Sequence, residues 1–167
     1  MEEVLSRQIA LPSAVLFLGD GLRDLEGLAA QYEHTPVYAV AGNCDASTVF
    51  SFDEPLTRVL HFDGRTVVMM HGHTFGVRYG LDDAVRFAAE QQADVLLFGH
   101  THLPYERVLP VGHTVDATVS RPALTLSKPL LLANPGSIGL PRDGGPRRFG
   151  VLTLRQQGVL FSHGSLT

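Results

Sequence analysis

Short apolar runs of four or five residues recur along the chain, separated by polar and glycine-containing segments. They are rich in Val, Leu and Phe and too short for buried helices, so the pattern predicts buried β-strands. The runs are Ala14–Leu18, Val37–Val40, Thr66–Met70, Asp94–Phe98 and Leu130–Ala133.

Two apolar stripes with helical spacing lie between some of these runs. Their members are Leu22, Leu25, Leu28 and Ala29 in the first stripe, and Leu81, Ala84, Val85 and Ala88 in the second. Strand–helix–strand order predicts parallel pairing, whereas Asp63-Gly64, between two β-type runs, predicts a hairpin. Residues 105–128 and 148–162 also predict strands joined by turns, and Glu2–Gln8 predicts a first helix. The mixture indicates two packed sheets covered by helices.

Composition adds limits to this picture. The chain has 167 residues, 44% of them apolar and 18% charged, which is ordinary for one soluble domain spanning residues 1–167. The net charge of -4 argues against a dedicated nucleic-acid or anionic-membrane binder. No apolar run approaches the ~20 residues needed to cross a bilayer. The single cysteine, Cys44, cannot form an intramolecular disulfide and fits a reducing compartment, so we expect a cytoplasmic protein.

A short polar motif follows each apolar run. In chain order these are Gly19-Asp20, Gly42-Asn43-Cys44-Asp45, His71-Gly72-His73, Gly99-His100-Thr101-His102 and Asn134-Pro135-Gly136-Ser137. Ligands of α/β sheets bind beyond the carboxyl ends of strands, and carboxylate, carboxamide and imidazole together suit Mn, Fe, Co, Ni or Zn. One Gly-Asp or His-x-His alone is usually a turn or a surface feature, but their joint placement predicts a metal site.

Other chemistries fit the sequence less well. Residues 19–24 follow a strand as a dinucleotide fingerprint does, but Asp24 replaces the third glycine and an acidic turn repels pyrophosphate. The sequence contains no Walker loop, no His-Glu-x-x-His, no Cys-x-x-Cys and no Gly-x-Ser-x-Gly.

The motif order resembles the calcineurin-like metallophosphoesterases, most closely the small bacterial and archaeal phosphodiesterase branch, over residues 13–155. The resemblance implies an α/β fold, a four-layer α/β/β/α sandwich with two mixed sheets and a two-metal site at one end. It also implies hydrolysis of phosphodiesters or phosphomonoesters by a metal-activated water, with a small phosphate ester as substrate.

The resemblance also implies a role for each ligand. Asp20 corresponds to the carboxylate that bridges the two metals. Asn43, His71 and His100 complete the ligands of one ion, and His102 binds the other. The expected ions are divalent transition metals, with Mn first and Ni, Fe, Co or Zn as alternatives.

Four further motif residues are expected near this ligand set. Cys44 stands where many family members carry a His that acts as acid for the leaving group, and a thiol with a reference pKa of ~8.5 is a poorer match to neutral pH. The small phosphodiesterase branch shares this Cys, and a plain buried side chain is the alternative. Asp45 and His73 are expected as site wall or substrate contact. Asp24 matches the second acid of Gly-Asp-x-x-Asp, outside the ligand shell.

The chain departs from the family at its start. The family begins with a strand ending in Asp-x-His, and both residues bind the metal that His102 also binds. No Asp-x-His precedes Gly19, so we expect one well-bound ion in the chain as given and unpaired backbone groups beside the absent strand. We further expect a start codon upstream of Met1, adding about a dozen residues that supply the strand and a turn.

Three functions remain open. The intact set of five ligand residues favours a metal-dependent phosphoesterase, most of all a phosphodiesterase. The absent first motif favours a non-catalytic scaffold on the same fold, as in the retromer subunit Vps29, or a metal-binding sensor without turnover. The substrate, the metal, assembly into a homo-oligomer and the role of residues 105–128 stay undetermined by the sequence.

Overall fold

The computed structural model of the protein describes residues 2–6, 10–25, 27, 31–45 and 54–166. Its helices are α1 (Glu2–Ser6) and α2 (Asp82–Glu90), with 3₁₀ turns at Leu22–Leu25 and His73–Phe75. Its strands are β1 (Val15–Phe17), β2 (Val37–Ala39), β3 (Thr57–Phe62), β4 (Arg65–Met70), β5 (Val95–Phe98), β6 (Pro104–Leu109), β7 (Thr114–Val115), β8 (Leu124–Thr125), β9 (Leu130–Pro135), β10 (Arg147–Arg155) and β11 (Gly158–Leu166).

A five-stranded mixed sheet with the order β3-β4-β5-β9-β6 forms the centre of the molecule. β4, β5 and β9 are parallel, and β3 and β6 pair antiparallel at the edges. Every residue of β5 is buried, as expected for an apolar run in a strand covered on both faces. Asp63 and Gly64 join β3 to β4 with φ values of 48° and 75°, which confirms the predicted hairpin and its turn with two positive φ angles.

The remaining strands form three two-stranded pieces. β1 and β2 are parallel, while β10–β11 and the short β7–β8 pair are antiparallel. Leu16 of β1 and Phe161 of β11 pack with Met69 and Leu97 in one apolar cluster against the five-stranded sheet. The other face of that sheet packs against α2, and Leu5 of α1 packs with Val15 on the outer side of β1. The predicted four-layer α/β/β/α architecture is confirmed.

Two predicted helices are only partly within the described residues. The first stripe begins as a 3₁₀ turn at Leu22–Leu25, and its Leu28 and Ala29 lie outside the described residues. The helix expected over Glu2–Gln8 appears as Glu2–Ser6, and the following two residues also lie outside. No described helix combines the length and the apolar character needed to cross a membrane.

A cavity of about 1010 Å³, called the trench below, is lined by residues 14–18 from β1 and its flanks and by residues 148–154 of β10. Asp20, His71 and His100 also line it. Within the described residues, β1 pairs only with β2 and β10 only with β11. The described part of the chain therefore contains no further strand paired with β1 or with β10.

Candidate metal centre

Four predicted ligands converge where strands end. Asp20 follows β1, Asn43 follows β2, His71 follows β4 and His100 follows β5. His71 Nε2 lies 3.1 Å from Asn43 Oδ1, 3.1 Å from His100 Nδ1 and 3.4 Å from Asp20 Oδ2. The carboxyl ends of the parallel strands thus place one carboxylate, one carboxamide and two imidazoles around a single point.

Glycines permit this close approach. A Cβ on Gly19 would lie 2.7 Å from the Gly42 amide nitrogen and 2.8 Å from His71 Nδ1, and a Cβ on Gly42 would overlap the Asp20 carboxylate. Asp20 and His100 have φ values of 61° and 63°, in the left-handed region that residues other than glycine seldom adopt. Such backbone strain clusters at functional sites, where the surrounding structure enforces it.

Asp20, Asn43, His71 and His100 are called the His71 cluster below. The hydrogen bonding of His71 fixes which of its ring nitrogens faces the other three side chains. Its ring is almost fully buried, and Nδ1 contacts the Leu18 carbonyl oxygen at 2.7 Å, which requires the proton on Nδ1. Burial lowers the pKa of His71, so the ring is neutral at pH 7 and Nε2 carries a lone pair. That lone pair faces oxygen acceptors of Asp20 and Asn43, an arrangement that a bound cation stabilises.

His100 is also held neutral. Burial, followed by the positive charge of Arg78, lowers the pKa of His100 to about 4. Arg78 Nη2 also donates a hydrogen bond to the His100 carbonyl oxygen, with a nitrogen–oxygen distance of 3.3 Å. Both imidazoles therefore offer lone pairs at neutral pH, which is the protonation state that metal binding requires.

The donor set fits a divalent transition ion. With metal–ligand bonds of about 2.1 Å, neighbouring donors of a tetrahedral or octahedral shell lie about 3.0–3.4 Å apart. The contacts to His71 Nε2 lie at 3.1–3.4 Å. As the side chains stand, no group of three or more His, Cys, Asp or Glu residues in the described part of the chain is arranged to hold an ion. Asn43 is not among these residue types, and metal binding at His71 stays a prediction.

His102 and Asp24 lie apart from this convergence. His102 has a φ of 63°, and its Nδ1 contacts the Leu140 carbonyl oxygen at 2.7 Å, which directs a lone pair to Nε2. Both residues line the trench together with Asp20. Within the described residues, no hydrogen bond or ion pair joins either side chain to Asn43, His71 or His100, and their roles at a second ion and outside the ligand shell stay predictions.

Cys44 and His73 flank the cluster. The Cys44 amide donates to Asp20 Oδ1 at 2.8 Å, and partial burial with the nearby Asp20 carboxylate raises the pKa of the exposed Cys44 thiol. The His73 ring lies 5.2 Å from the His71 ring, centroid to centroid. Its Nδ1 is buried and has no hydrogen-bond partner within the described residues. The expected roles of Cys44 and His73 in catalysis, at the site wall or in substrate contact stay predictions.

Asp45 occupies a different position. Its side chain lies beneath the cluster and accepts four backbone N–H groups, from Asp20, Gly21, Leu22 and Gly42, at 2.8–3.0 Å. Burial raises the pKa of its carboxyl, but these hydrogen bonds outweigh burial and leave the pKa below its usual value.

Two residues important to the site were not predicted from the sequence. Together with burial, Arg78 lowers the pKa of His100, and it donates a hydrogen bond to the His100 carbonyl oxygen. Asn134 is fully buried, and its Nδ2 donates to the Gly99 carbonyl oxygen at 2.8 Å and to Thr101 Oγ1 at 3.1 Å. It thereby holds the loop that carries His100. The Asn134-Pro135-Gly136-Ser137 motif marked the position of Asn134, whereas nothing in the sequence distinguishes Arg78.

Comparison with known proteins identifies relatives of the chain. Residues 1–157 match the family model of the calcineurin-like phosphoesterase superfamily domain. The probable metallophosphoesterase YsnB of Bacillus subtilis is 32% identical over 71% of this chain and 57% of its own length. Phosphodiesterase YfcE of Escherichia coli is 31% identical over 70% of this chain and 52% of its own length. The chain thus spans about half the length of these curated relatives.

Solved structures support the fold. A predicted phosphoesterase from Streptococcus pneumoniae has a TM-score of 0.71 and 23% identity, covering 98% of this chain and 80% of its own. A single-mutant Vps29 from Entamoeba histolytica has a TM-score of 0.64 and 18% identity, covering 100% of this chain and 90% of its own. At these identities the likeness concerns architecture alone.

Proposed function

Because the chain belongs to the calcineurin-like phosphoesterase superfamily, we propose that it is a metal-dependent phosphoesterase whose substrates are small phosphodiesters. The observation that carries this proposal is the convergence of Asp20, Asn43 and His100 on the lone pair of His71 Nε2. We place Mn²⁺ first among the ions, in a site that binds one ion well and a second weakly through Asp20 and His102. A cytoplasmic location suits a chain whose single cysteine, Cys44, is exposed.

The residues divide the work of binding and proton transfer. Asp20, Asn43, His71 and His100 would hold the ion, which when bound supplies Lewis-acid polarisation of the phosphoryl group and activation of water. The neutral imidazoles and the carboxamide add no negative charge, so Asp20 alone would compensate one of the two positive charges of the ion. The pKa of the Cys44 thiol is raised above its ordinary value, so Cys44 is protonated at neutral pH but can donate to a leaving oxygen only weakly.

The end of the trench offers room for the substrate beside these groups. It brings His102 and Asp24 to the same space as Asp20 and His100. The positive charge of Arg142 also acts on Cys44, so a phosphate bound near the thiol would meet a cation. A small ester that exposes its phosphate fits this open, polar end better than a long apolar ligand does.

Hydrolysis of bis(p-nitrophenyl) phosphate by the purified chain tests the proposal. We expect slow turnover that requires added Mn²⁺, stops with chelator and falls at least about 10-fold in His71→Ala. His34→Ala is the matched control, because His34 is exposed and precedes the amino end of β2, whereas Asn43 follows its carboxyl end. Turnover that persists in chelator, or no turnover at saturating Mn²⁺, would contradict the proposal.

A protein-binding scaffold is the alternative function. Two observations favour it: the described residues form no ready metal-holding group, and the fold matches Vps29. A scaffold would show no turnover with Mn²⁺, and its thermal stability would not change when the ion is added.

A further inference from the structure

The Asp45 carboxylate links two loops that leave different strands. Its Oδ2 accepts the amides of Asp20 at 2.9 Å and Gly42 at 2.8 Å. Its Oδ1 accepts the amides of Gly21 at 2.8 Å and Leu22 at 3.0 Å. One side chain therefore binds both the loop after β1, which carries Asp20, and the loop after β2, which carries Asn43.

A second contact closes the link in the opposite direction. The Cys44 amide, next to Asp45 in the chain, donates to Asp20 Oδ1 at 2.8 Å. The backbone of Asp20 is thus held by Asp45 while its side chain is held by the backbone of the Asp45 loop. This pairing fixes Asp20 in its left-handed conformation, with a φ of 61°, and leaves Asp20 Oδ2 to face His71.

The hydrogen bonds that Asp45 accepts leave its carboxylate no direct role in binding an ion or a substrate. An ionised carboxylate has two oxygens and about four lone-pair positions. Asp45 accepts four amide hydrogens, and only 8% of the residue surface is exposed. Its oxygens are therefore not available to an ion or a substrate in this arrangement.

We propose that Asp45 is a positioning residue of the metal centre, whose carboxylate sets the spacing of Asp20 and Asn43 and thereby the affinity for a divalent ion. The proposal rests on the metal-dependent function proposed above. The sequence predicted Asp45 as site wall or substrate contact. The positioning role differs, because Asp45 would act on the site through the backbone of the loops that follow β1 and β2.

Asp94 provides a matched control. It too is a largely buried carboxylate that accepts a backbone amide, that of Thr66 at 2.8 Å, and it also contacts Arg65 and Lys128. It lies at the start of β5, whereas the candidate ligands follow the carboxyl ends of strands. Asp94→Asn therefore reports what loss of a structural carboxylate does without affecting the site directly.

Titration of the metal-free full chain with Mn²⁺, followed by the electron paramagnetic resonance signal of the free ion, tests the proposal. In Asp45→Asn, one oxygen becomes an amide group that faces two N–H donors and cannot accept from them. We expect the Mn²⁺ dissociation constant to rise about 10–100-fold, with no such rise in Asp94→Asn. Asp45→Glu, which keeps both acceptor oxygens but displaces them, should lie between Asp45→Asn and wild type.

Hydrogen exchange of the metal-free protein adds a readout that needs no ion. The amides of Asp20, Gly21, Leu22 and Gly42 should exchange faster in Asp45→Asn than in Asp94→Asn. If Asp45→Asn does not fold, the same comparison is made with Asp45→Glu. Equal dissociation constants in the Asp45 variant and wild type, or equal changes in the Asp45 and Asp94 variants, would overturn the positioning role alone. A wild-type chain that binds no Mn²⁺ would overturn the proposed function as well.

Discussion

At the scale of single residues, lone-pair orientation defines the candidate centre. His71 donates from Nδ1 to Leu18 and directs Nε2 at Asp20 and Asn43. His100 is kept neutral by burial and Arg78. These side chains were identified from their places after apolar strands. Arg78 and Asn134 act only through contacts that the folded chain creates, so a pattern of spacing could not assign their roles.

Cys44 provides a prediction about the leaving group. Its pKa is raised above the ordinary thiol value, so it is a weak proton donor, and general acid catalysis contributes roughly 10²–10⁴-fold. An aryl phosphodiester should therefore react far faster than an alkyl one, and Cys44→His should narrow the difference. The measurement is the ratio of the two kcat/KM values in each protein. Equal rates on both esters, before and after the substitution, would refute this role.

At the scale of elements, continuous apolar runs predicted the strands because β4, β5 and β9 are buried on both faces. Asp63-Gly64 predicted the hairpin because its turn requires positive φ. The first apolar stripe was less informative, since a 3₁₀ turn and an α-helix share much of the same spacing. The pairing of β1 with β2 and of β10 with β11 in two separate sheets could not be predicted. It depends on contacts between residues far apart in the sequence, which no local pattern contains.

Asp94 ties three of these elements together and makes stability depend on pH. Burial raises the pKa of its carboxyl, but the Thr66 amide, Lys128 and Arg65 lower it below 3.8 overall. A lowered folded-state pKa means that the stabilisation is present above the unfolded pKa and is lost as pH falls through the folded one. We expect Asp94→Asn to reduce the free energy of unfolding at pH 7 by about 1–3 kcal/mol.

The difference between Asp94→Asn and wild type should disappear as the pH falls through the lowered folded-state pKa of Asp94. Urea unfolding at a series of pH values measures it, and Glu106→Gln, an exposed carboxylate on β6, is the control. A difference that stays constant down to the lowest pH would show that Asp94 does not contribute through its charge.

At the scale of the whole molecule, the trench is the feature that connects architecture to the site. Strands lie about 4.8 Å apart and sheets about 10 Å apart, and each residue advances about 3.3 Å, so one extended residue occupies about 160 Å³. The cavity of about 1010 Å³ thus corresponds to about six extended residues. Asp20, His71 and His102 are among the residues that line it.

Adding a strand to the chain tests whether the trench can hold one. Fusing to the chain an apolar strand that ends in Asp-x-His, about a dozen residues with its turn, should raise the melting temperature and bring metal stoichiometry toward two. The control is the same extension with Asp and His replaced by Ala, which should stabilise the fold without adding the second ion. Unchanged stability and stoichiometry in both extended chains would contradict the prediction.

The most direct test of the account is the affinity of the metal-free chain for Mn²⁺ in wild type, His100→Ala and His34→Ala. We expect wild type and His34→Ala to bind one ion equally well, because His34 is exposed and outside the cluster. His100→Ala should bind at least about 10-fold more weakly, because it removes a neutral donor that contacts His71 Nε2 at 3.1 Å. Equal affinity in wild type and His100→Ala, or no binding by wild type, would contradict a metal centre at the ends of these strands.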